Sequence, residues 1–294
     1  MTRQLKGVIA LPPTPLTIDR NIDKESLRSE IDFLMKNGCC GAGVLAGIGE
    51  GYLMSNKDWL TVTKTAVDHL KDRGPLLVGI AAMGTSQAVE LAKSAENLGA
   101  DAVLAFNPQG MGPYTSDGLY EHFRALTDAV DIQVVPYARD NDPIPFEALG
   151  RLVEEERISY MKYAFRDCET LRKITQSFGD RLFTFCGADS WTLRYILLGC
   201  RGIMTATAAV LPKENVELLS LVENGQIWEA RKLWFQKILP WNDSGFYENW
   251  QTAHKLALKH MGVIESAMHP TPQTPMKDYQ IEEIQATLKY LGKA

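Results

Sequence analysis

The chain has 294 residues, of which 45% are hydrophobic and 23% are charged, and its formal net charge is −5. This composition is ordinary for a globular protein with a substantial core, and the length suits one large barrel or two ordinary domains. Because no basic tract interrupts the mildly acidic charge, we expect neither nucleic acid nor a membrane surface as a partner. No apolar run approaches the roughly 18 residues that a membrane span needs.

Cysteine and histidine usage points to a protein of the cytoplasm without a metal. The five cysteines are scattered, without a Cys-x-x-Cys pair, as is typical of reduced thiols in a cytosol. The polar start lacks the apolar core of a signal peptide, so we expect a cytoplasmic protein. The five histidines show no metal-ligand spacing, so we expect no metal, and the sequence suggests no other cofactor.

Short apolar runs alternate with longer amphipathic runs along most of the chain, which indicates alternating strands and helices. Predicted strands lie at residues 7–11, 43–46, 76–80, 102–105, 132–137, 158–164, 182–185 and 202–206. Predicted helices follow at residues 24–36, 55–70, from 85, 116–129, 145–154, 167–177, 190–198 and from 212. These strand–helix units predict a (β/α)8 TIM barrel rather than an open doubly wound sheet, and no Gly-x-Gly-x-x-Gly follows the first strand.

Beyond the eighth unit the periodicity is helical only, around residues 226–236, 247–261 and 281–291. We therefore predict a barrel over residues 1–224 and a C-terminal α-helical extension over residues 225–294 that packs on it. Trp228 and Trp234 are predicted to pack this extension against the barrel.

The most informative single residue is Lys162, which lies within the apolar sixth strand. Burial disfavours the charged form of a lysine, lowers its pKa and frees the amine as a nucleophile that can form a Schiff base with a ketone. The alternative is a lysine that lifts its ammonium group into water at the end of the strand. Active sites of (β/α)8 barrels lie at the C-terminal ends of the strands, where Lys162 is expected, and this favours the catalytic interpretation.

Motifs in a characteristic order and spacing run through essentially the whole chain. They are Gly7-Val8-Ile9-Ala10 with Thr14-Pro15, Gly47-Ile48-Gly49-Glu50, Gly118-Leu119-Tyr120-Glu121-His122-Phe123, Tyr137, Met161-Lys162, Gly187-Ala188-Asp189, residues 199–207 and Lys255-Leu256-Ala257-Leu258. In these motifs the chain resembles the dihydrodipicolinate synthase/N-acetylneuraminate lyase family of Schiff-base enzymes.

The resemblance implies a role for several residues. Lys162 would condense with the keto group of a 2-oxo acid substrate, and Tyr137 would shuttle protons. The loop Gly47-Ile48-Gly49 would present backbone N–H groups to the substrate carboxylate, and Gly187 would belong to the substrate site. The alternatives are a packing role for Tyr137 and a plain strand-to-helix turn for the loop. The family resemblance also implies a homodimer or a homotetramer.

The chain departs from dihydrodipicolinate synthase at residues that matter for its chemistry. That enzyme has hydroxyl residues where this chain has Gly47 and Ile48, and an interface aromatic near the place of Gly110-Met111. These departures argue against dihydrodipicolinate synthesis itself.

The loop after strand five suggests a different substrate. Residues 137–141, Tyr-Ala-Arg-Asp-Asn, are similar to the Tyr-Asn-Arg-Asp-Asn of 5-dehydro-4-deoxyglucarate dehydratase. Arg139 could bind a distal carboxylate or sugar hydroxyls, or could form a structural pair with Asp140. Thr205 could hydrogen-bond a polyhydroxy chain or satisfy backbone groups. We therefore predict a lyase for 2-oxo acids, acting by aldol cleavage or condensation or by dehydration of a keto-deoxy sugar acid. The alternative is a non-catalytic sugar-acid-binding or regulatory homologue.

Overall fold

The computed structural model describes residues 3–110, 113–245 and 248–293. Eight parallel strands, each paired with its neighbours in sequence order, form a closed barrel. The strands are β1 (Gly7–Ala10), β2 (Gly41–Val44), β3 (Leu76–Ile80), β4 (Ala102–Phe106), β5 (Gln133–Ala138), β6 (Tyr160–Tyr163), β7 (Phe183–Cys186) and β8 (Gly202–Ile203). The predicted (β/α)8 barrel is confirmed.

Helices follow the strands around the outside of the barrel and continue beyond it. They are α1 (Lys24–Lys36), α2 (Asn56–Leu70), α3 (Thr85–Leu98), α4 (Ser116–Ala129), α5 (Phe146–Glu154), α6 (Cys168–Phe178), α7 (Thr192–Leu197), α8 (Thr207–Val210), α9 (Pro212–Glu223), α10 (Ile227–Leu233), α11 (Leu239–Gly245), α12 (Trp250–His260) and α13 (Asp278–Leu291). Among the described residues no helix is long and apolar enough to cross a membrane.

Local signals set several helix starts. The Ser55 hydroxyl accepts a hydrogen bond from the backbone N–H of Asp58, and the Asp167 carboxylate accepts one from the N–H of Glu169. Each cap satisfies an N–H that has no partner within its own helix. Pro212 occupies the first turn of α9, where its missing N–H costs nothing.

Two strands end two or three residues earlier than the sequence suggests. Strand β2 stops at Val44 because Leu45 adopts a left-handed conformation with φ of 58°, which breaks the extended backbone. Strand β8 contains only Gly202 and Ile203, and the short helix α8 begins at Thr207. The predicted strands at 43–46 and 202–206 were therefore wrong at their C-terminal ends.

Successive side chains along each strand point alternately into two separate hydrophobic cores. On β1, Val8 and Ala10 belong to the core between barrel and helices, whereas Ile9 belongs to the core inside the barrel. On β6, Met161 and Tyr163 belong to the outer core. The alternation therefore directs the side chain of the intervening Lys162 into the barrel.

The C-terminal helices pack on the barrel, and only one of the two tryptophans contributes to this packing. Trp234 starts a π-helical stretch, Trp234–Ile238, and is 5% exposed within the outer core. Trp228 is 75% exposed, so its predicted packing role was wrong. Six residues turn an α-helix by roughly 240°, which places the two side chains on different faces. Part of the predicted helix at 247–261 is α12, and Tyr247 lies outside the described residues.

Candidate active site

Lys162 and Tyr137 lie side by side on neighbouring strands. They are direct register partners in the pairing of β5 with β6. The lysine side chain is buried, at 3% exposure, and its Nζ lies 3.9 Å from the centroid of the Tyr137 ring. The two residues that the sequence predicts to react are thus in contact.

The surroundings of Lys162 favour its neutral form. Burial lowers the pKa of the amine from 10.5 to about 7, and the Arg139 guanidinium acts in the same direction. Asp189 and Cys186 oppose the shift but do not outweigh burial. A substantial fraction of the amine is therefore a free nucleophile at neutral pH.

Gly187 makes room for the lysine. A Cβ at this position would lie 2.4 Å from Cε and 2.8 Å from Cγ of Lys162, which is far inside van der Waals contact. Only a glycine at the end of β7 lets the lysine side chain take this path. The predicted site residue Gly187 therefore touches the lysine.

A cavity of about 780 Å³ opens above these residues at the C-terminal ends of the strands. Its walls are mainly polar. They are formed by Pro108, Gln109, Gly110, Tyr114, Tyr137, Arg139, Asp140, Asn141, Asp142, Ala164, Arg166, Gly187, Ala188, Asp189, Ser190, Trp191 and Trp250. Tyr137 and Gly187 belong to the wall and also contact Lys162, so the amine lies directly behind the cavity lining.

Tyr137 presents its partly exposed ring between the cavity and the barrel core. Its ring packs edge-to-face on Phe106, with centroids 5.1 Å apart. Burial raises the pKa of the phenol, Arg139 lowers it, and Asp189, Asp140 and Cys186 raise it further. The phenol therefore holds its proton at neutral pH and can act as an acid.

Arg139 is held by groups other than the one considered from sequence. Its Nη2 donates to Asp142 Oδ2 at 2.9 Å and to Gln109 Oε1 at 3.1 Å. Asp140 instead pairs with Arg166, whose backbone N–H and Nε both donate to its carboxylate. The alternative of an Arg139–Asp140 pair was wrong in its partner, although a pair does shape the loop.

The other predicted binding residues, Gly47, Ile48, Gly49 and Thr205, are not among the residues that line this cavity. Ile48 is buried in the barrel interior, in the same core as the Tyr137 ring, and Thr14 Oγ1 donates to the Gly49 carbonyl at 2.6 Å. A Cβ added to Gly47 would meet nothing within 4 Å. Thr205 is buried, and its hydroxyl accepts from the N–H of Ala208 at 3.4 Å, which favours the backbone-satisfying alternative.

The loop at residues 47–49 is anchored from the C-terminal extension. Glu50 has a left-handed φ of 57° and is fully buried. Its Oε2 accepts a hydrogen bond of 2.5 Å from Nζ of Lys255 on α12, and the same Nζ donates to the Met268 carbonyl. This buried ion pair ties the loop after β2 to the extension.

Sequence reasoning missed several residues of the site. Asp189 follows Gly187 closely, and its position at the end of β7 could have drawn attention to it. Asp142 escaped notice because its bonds to Arg139 and Asn107 depend on how the loop folds back. Trp250 reaches the cavity from α12, and no local sequence pattern predicts this position. Met111, near the place of the interface aromatic of dihydrodipicolinate synthase, lies outside the described residues.

In the described part of the chain, no group of three or more histidine, cysteine, aspartate or glutamate side chains is arranged to hold a metal ion.

A buried lysine with a pKa of about 7 at the end of the sixth strand of a closed barrel, with a phenol ring against it, is the arrangement of a class I aldolase-type lyase. Comparison with known families narrows this class. Residues 4–291 match the dihydrodipicolinate synthetase family, and the chain belongs to that family. Members of this family are Schiff-base lyases.

Individual relatives match along almost their full length. The chain is 29% identical over 290 residues to 4-hydroxy-tetrahydrodipicolinate synthase of Pelobacter propionicus, covering 98% of this chain and 99% of the relative. It is 32% identical over 280 residues to the enzyme of that name from Nitrosococcus oceani, covering 94% of each. Among solved structures, the chloride-inhibited dihydrodipicolinate synthase of Acinetobacter baumannii complexed with pyruvate is 26% identical. It has a TM-score of 0.93 and covers 99% of this chain and 100% of its own.

Proposed function

We propose that this protein forms a Schiff base between Lys162 and the keto group of a 2-oxo acid. The observation that carries the proposal is the buried amine of Lys162, with a pKa of about 7, in contact with Tyr137 behind the wall of a polar cavity. The family assignment supports the same chemistry, since its members are Schiff-base lyases.

The reaction begins when neutral Nζ adds to C2 of the 2-oxo acid. The carbinolamine then loses its hydroxyl group as water, and a protonated imine remains. This cation withdraws electrons from the bonds at C3. Either C3 loses a proton, or the C4 hydroxyl group loses its proton and the C3–C4 bond breaks to release an aldehyde, and both steps leave an enamine. Aldol cleavage and condensation both pass through this enamine. Dehydration uses it as well, because the enamine can expel a hydroxyl group from C4.

Tyr137 is proposed to move protons during these steps. Its phenol is protonated at neutral pH because burial raises its pKa, so it can donate to the departing hydroxyl group of the carbinolamine. The resulting phenolate can take up a proton later in the cycle. The contact between its ring and Nζ of Lys162 supports this role.

We further propose a keto-deoxy sugar acid as the substrate, rather than the precursors of dihydrodipicolinate. The loop at residues 47–49 would hold the substrate carboxylate through backbone N–H groups. There is open space beside Gly47, since a Cβ at this position would meet nothing within 4 Å. The hydroxyl residues of dihydrodipicolinate synthase are replaced by Gly47 and by Ile48, whose side chain is buried hydrocarbon.

We also expect a homodimer or homotetramer. Light scattering on the purified protein would measure its oligomeric state.

Borohydride trapping tests the Schiff base. Incubation with pyruvate, or with a panel of 2-keto-3-deoxy sugar acids, followed by reduction should add one substrate to Lys162, identified by peptide mass spectrometry. Lys162→Ala should abolish the adduct, whereas Lys57→Ala, at an exposed position on α2, should keep it. Turnover assays on the same panel then separate aldol cleavage, which yields pyruvate and an aldehyde, from dehydration, which yields water and a product that keeps the full carbon chain.

One outcome would replace the proposal by the alternative function. If no 2-oxo acid gives an adduct, while sugar acids still raise the melting temperature equally in wild type and Lys162→Ala, the protein binds sugar acids without catalysis.

A further inference from the structure

The guanidinium group of Arg139 lies beside the rings of Phe106 and Tyr137. This position is not one that substrate binding alone would require. The guanidinium carbon is 5.0 Å from the centroid of the Phe106 ring and 5.8 Å from that of Tyr137. Nζ of Lys162 is 3.9 Å from the centroid of the same Tyr137 ring. This ring is therefore close to two basic side chains, of which only Lys162 is proposed to react.

Asp142 fixes the guanidinium in this position. Asp142 accepts from Arg139 Nη2 through Oδ2 and from buried Asn107 Nδ2 through Oδ1, the latter at 2.7 Å. The backbones of Arg139 and Asp142 exchange two further hydrogen bonds of 3.1 and 3.0 Å. Gln109 completes the network, since it accepts from Nη2 and donates to the Asn107 carbonyl at 2.6 Å. Binding a substrate carboxylate through Nη2 would require this network to open.

We propose that Arg139 is a positioning residue that acts through Tyr137, holding the phenol ring against Lys162 and stabilising the negative charge that the phenol acquires when it releases its proton. This role rests on the proposed function, because it matters only if Tyr137 transfers protons. It replaces the substrate-binding role that the sequence suggests for Arg139.

The charges around Tyr137 support this assignment. Asp140 from the same loop, and Asp189 and Cys186 from the end of β7, all raise the pKa of the phenol, whereas Arg139 lowers it. Arg139 also lowers the pKa of Lys162 on β6. The guanidinium thus favours the neutral amine of Lys162 and stabilises the phenolate of Tyr137 once the phenol has released its proton.

Exchange of the pyruvate methyl protons in D2O, followed by NMR, tests the proposal without knowledge of the second substrate. Exchange requires the imine and one proton transfer at C3. We expect Arg139→Met to lower the maximal exchange rate about tenfold to hundredfold, at or below the lower end of the range for general acid–base catalysis because Arg139 acts through Tyr137, with little change in KM for pyruvate. The pH of half-maximal exchange should move upward. Arg139→Lys keeps the charge and should recover part of the rate, and Asp142→Asn should give an intermediate loss.

Arg166→Met is the matched control. Arg166 lies in the same cavity wall, carries the same charge and pairs with Asp140, but its side chain is 63% exposed. A loss in Arg166→Met as large as in Arg139→Met would show a general effect of cavity charge and overturn the proposal. A higher KM with an unchanged maximal rate in Arg139→Met would identify a substrate ligand and also overturn it.

Failure of the two proposals can be told apart. If the wild type neither exchanges protons nor yields a borohydride adduct, the proposed function fails and this inference fails with it. If the wild type exchanges and Arg139→Met and Arg139→Lys, both folded by circular dichroism, exchange equally fast, only the inference fails.

Discussion

Gly187 and the side chain of Lys162 lie so close together that any side chain at residue 187 would overlap the lysine. A methyl group on Gly187 would lie 2.4 Å from Cε of Lys162 and 3.2 Å from Cβ of Ala164. The lysine is also confined by the Tyr137 ring on its other neighbouring strand. Two features thus fix the position of the amine. One is the contact of Lys162 with the Tyr137 ring, and the other is the absence of a side chain at residue 187.

Gly187→Ala should therefore impair Schiff-base formation while leaving the fold intact. The new methyl group displaces the lysine side chain, and a shift of about 1 Å at a reacting group can cost about a hundredfold in rate. We expect at least about a tenfold slower borohydride trapping of pyruvate, measured by intact-protein mass spectrometry. Gly84→Ala is the control, because its methyl group meets nothing within 4 Å. Equal trapping in both variants would show that Lys162 does not need this space.

The rate of Schiff-base formation should depend on pH through the titration of Lys162. Its pKa is lowered to about 7, mainly by burial, so the neutral amine becomes the major form above that pH. We expect the trapping rate in wild type to rise between about pH 6 and 8 and to level off above. Initial rates of adduct formation across this range provide the measurement. A rate that keeps rising toward pH 10 would mean that the amine titrates like a lysine in water.

The same burial makes Lys162 costly for stability. Below pH 10.5 the unfolded chain holds a proton on this lysine, whereas the folded chain releases it above about pH 7. Within that window the unfolded state binds more protons, so wild-type stability rises with pH. Lys162→Met should accordingly raise the free energy of unfolding at pH 7, with an upper bound of roughly 1.4 kcal/mol per unit of pKa shift. Urea denaturation at pH 7, 8 and 9 should show this gain shrinking as pH rises, and a constant or absent gain would contradict it.

The barrel itself follows from periodicity in the sequence. Apolar runs such as residues 76–80 and 102–105 can be satisfied only in strands buried on both faces, and their regular alternation with amphipathic runs leaves few other folds. Strand ends are set more locally. The left-handed backbone of Leu45 and the short helix at Thr207 depend on contacts made after folding, so neither could be derived from residue types.

The residues of the active site likewise fall into those that strand positions predict and those that depend on how the loops fold. Lys162, Tyr137 and Gly187 fall at strand ends, and the barrel topology brings strand ends together whatever the loops do. The partner of Arg139 depends instead on how residues 139–142 fold back, and the sequence indicated Asp140 where the structure has Asp142. Trp250 arrives from a helix more than 80 residues further along the chain than Lys162, with no local signal.

The two tryptophans of the segment after α9 should differ in their effect on stability. Trp234 is buried in the core between barrel and helices, so Trp234→Ala should destabilise the protein by about 3–5 kcal/mol. Trp228 is 75% exposed and contacts Arg231, whose guanidinium carbon is 5.6 Å from the indole ring. Trp228→Ala should change stability by less than about 1 kcal/mol. Thermal and urea denaturation would compare them, and a large loss in Trp228→Ala would indicate that this face is covered in the native assembly.

The buried pair of Lys255 and Glu50 should be the most sensitive ionic contact outside the active site. Both side chains are fully buried, and the pair lies between the loop after β2 and helix α12. Lys255→Met leaves the Glu50 carboxylate buried without its cation, which typically costs about 3–5 kcal/mol.

The cost of Lys255→Met should also depend on pH. Burial raises the pKa of Glu50 and Lys255 lowers it, so removing the lysine raises it further. With the folded pKa above the unfolded one, the remaining stability is fully present at acidic pH and is lost as pH rises through the folded value. Urea denaturation at pH 5 and 8 should therefore show the larger loss at pH 8. Lys64→Met, which breaks an exposed pair with Asp68, should cost at most about 1 kcal/mol at either pH. Adding Glu50→Gln to Lys255→Met should recover part of the loss, and a double variant whose losses simply add would show that the two charges do not depend on each other.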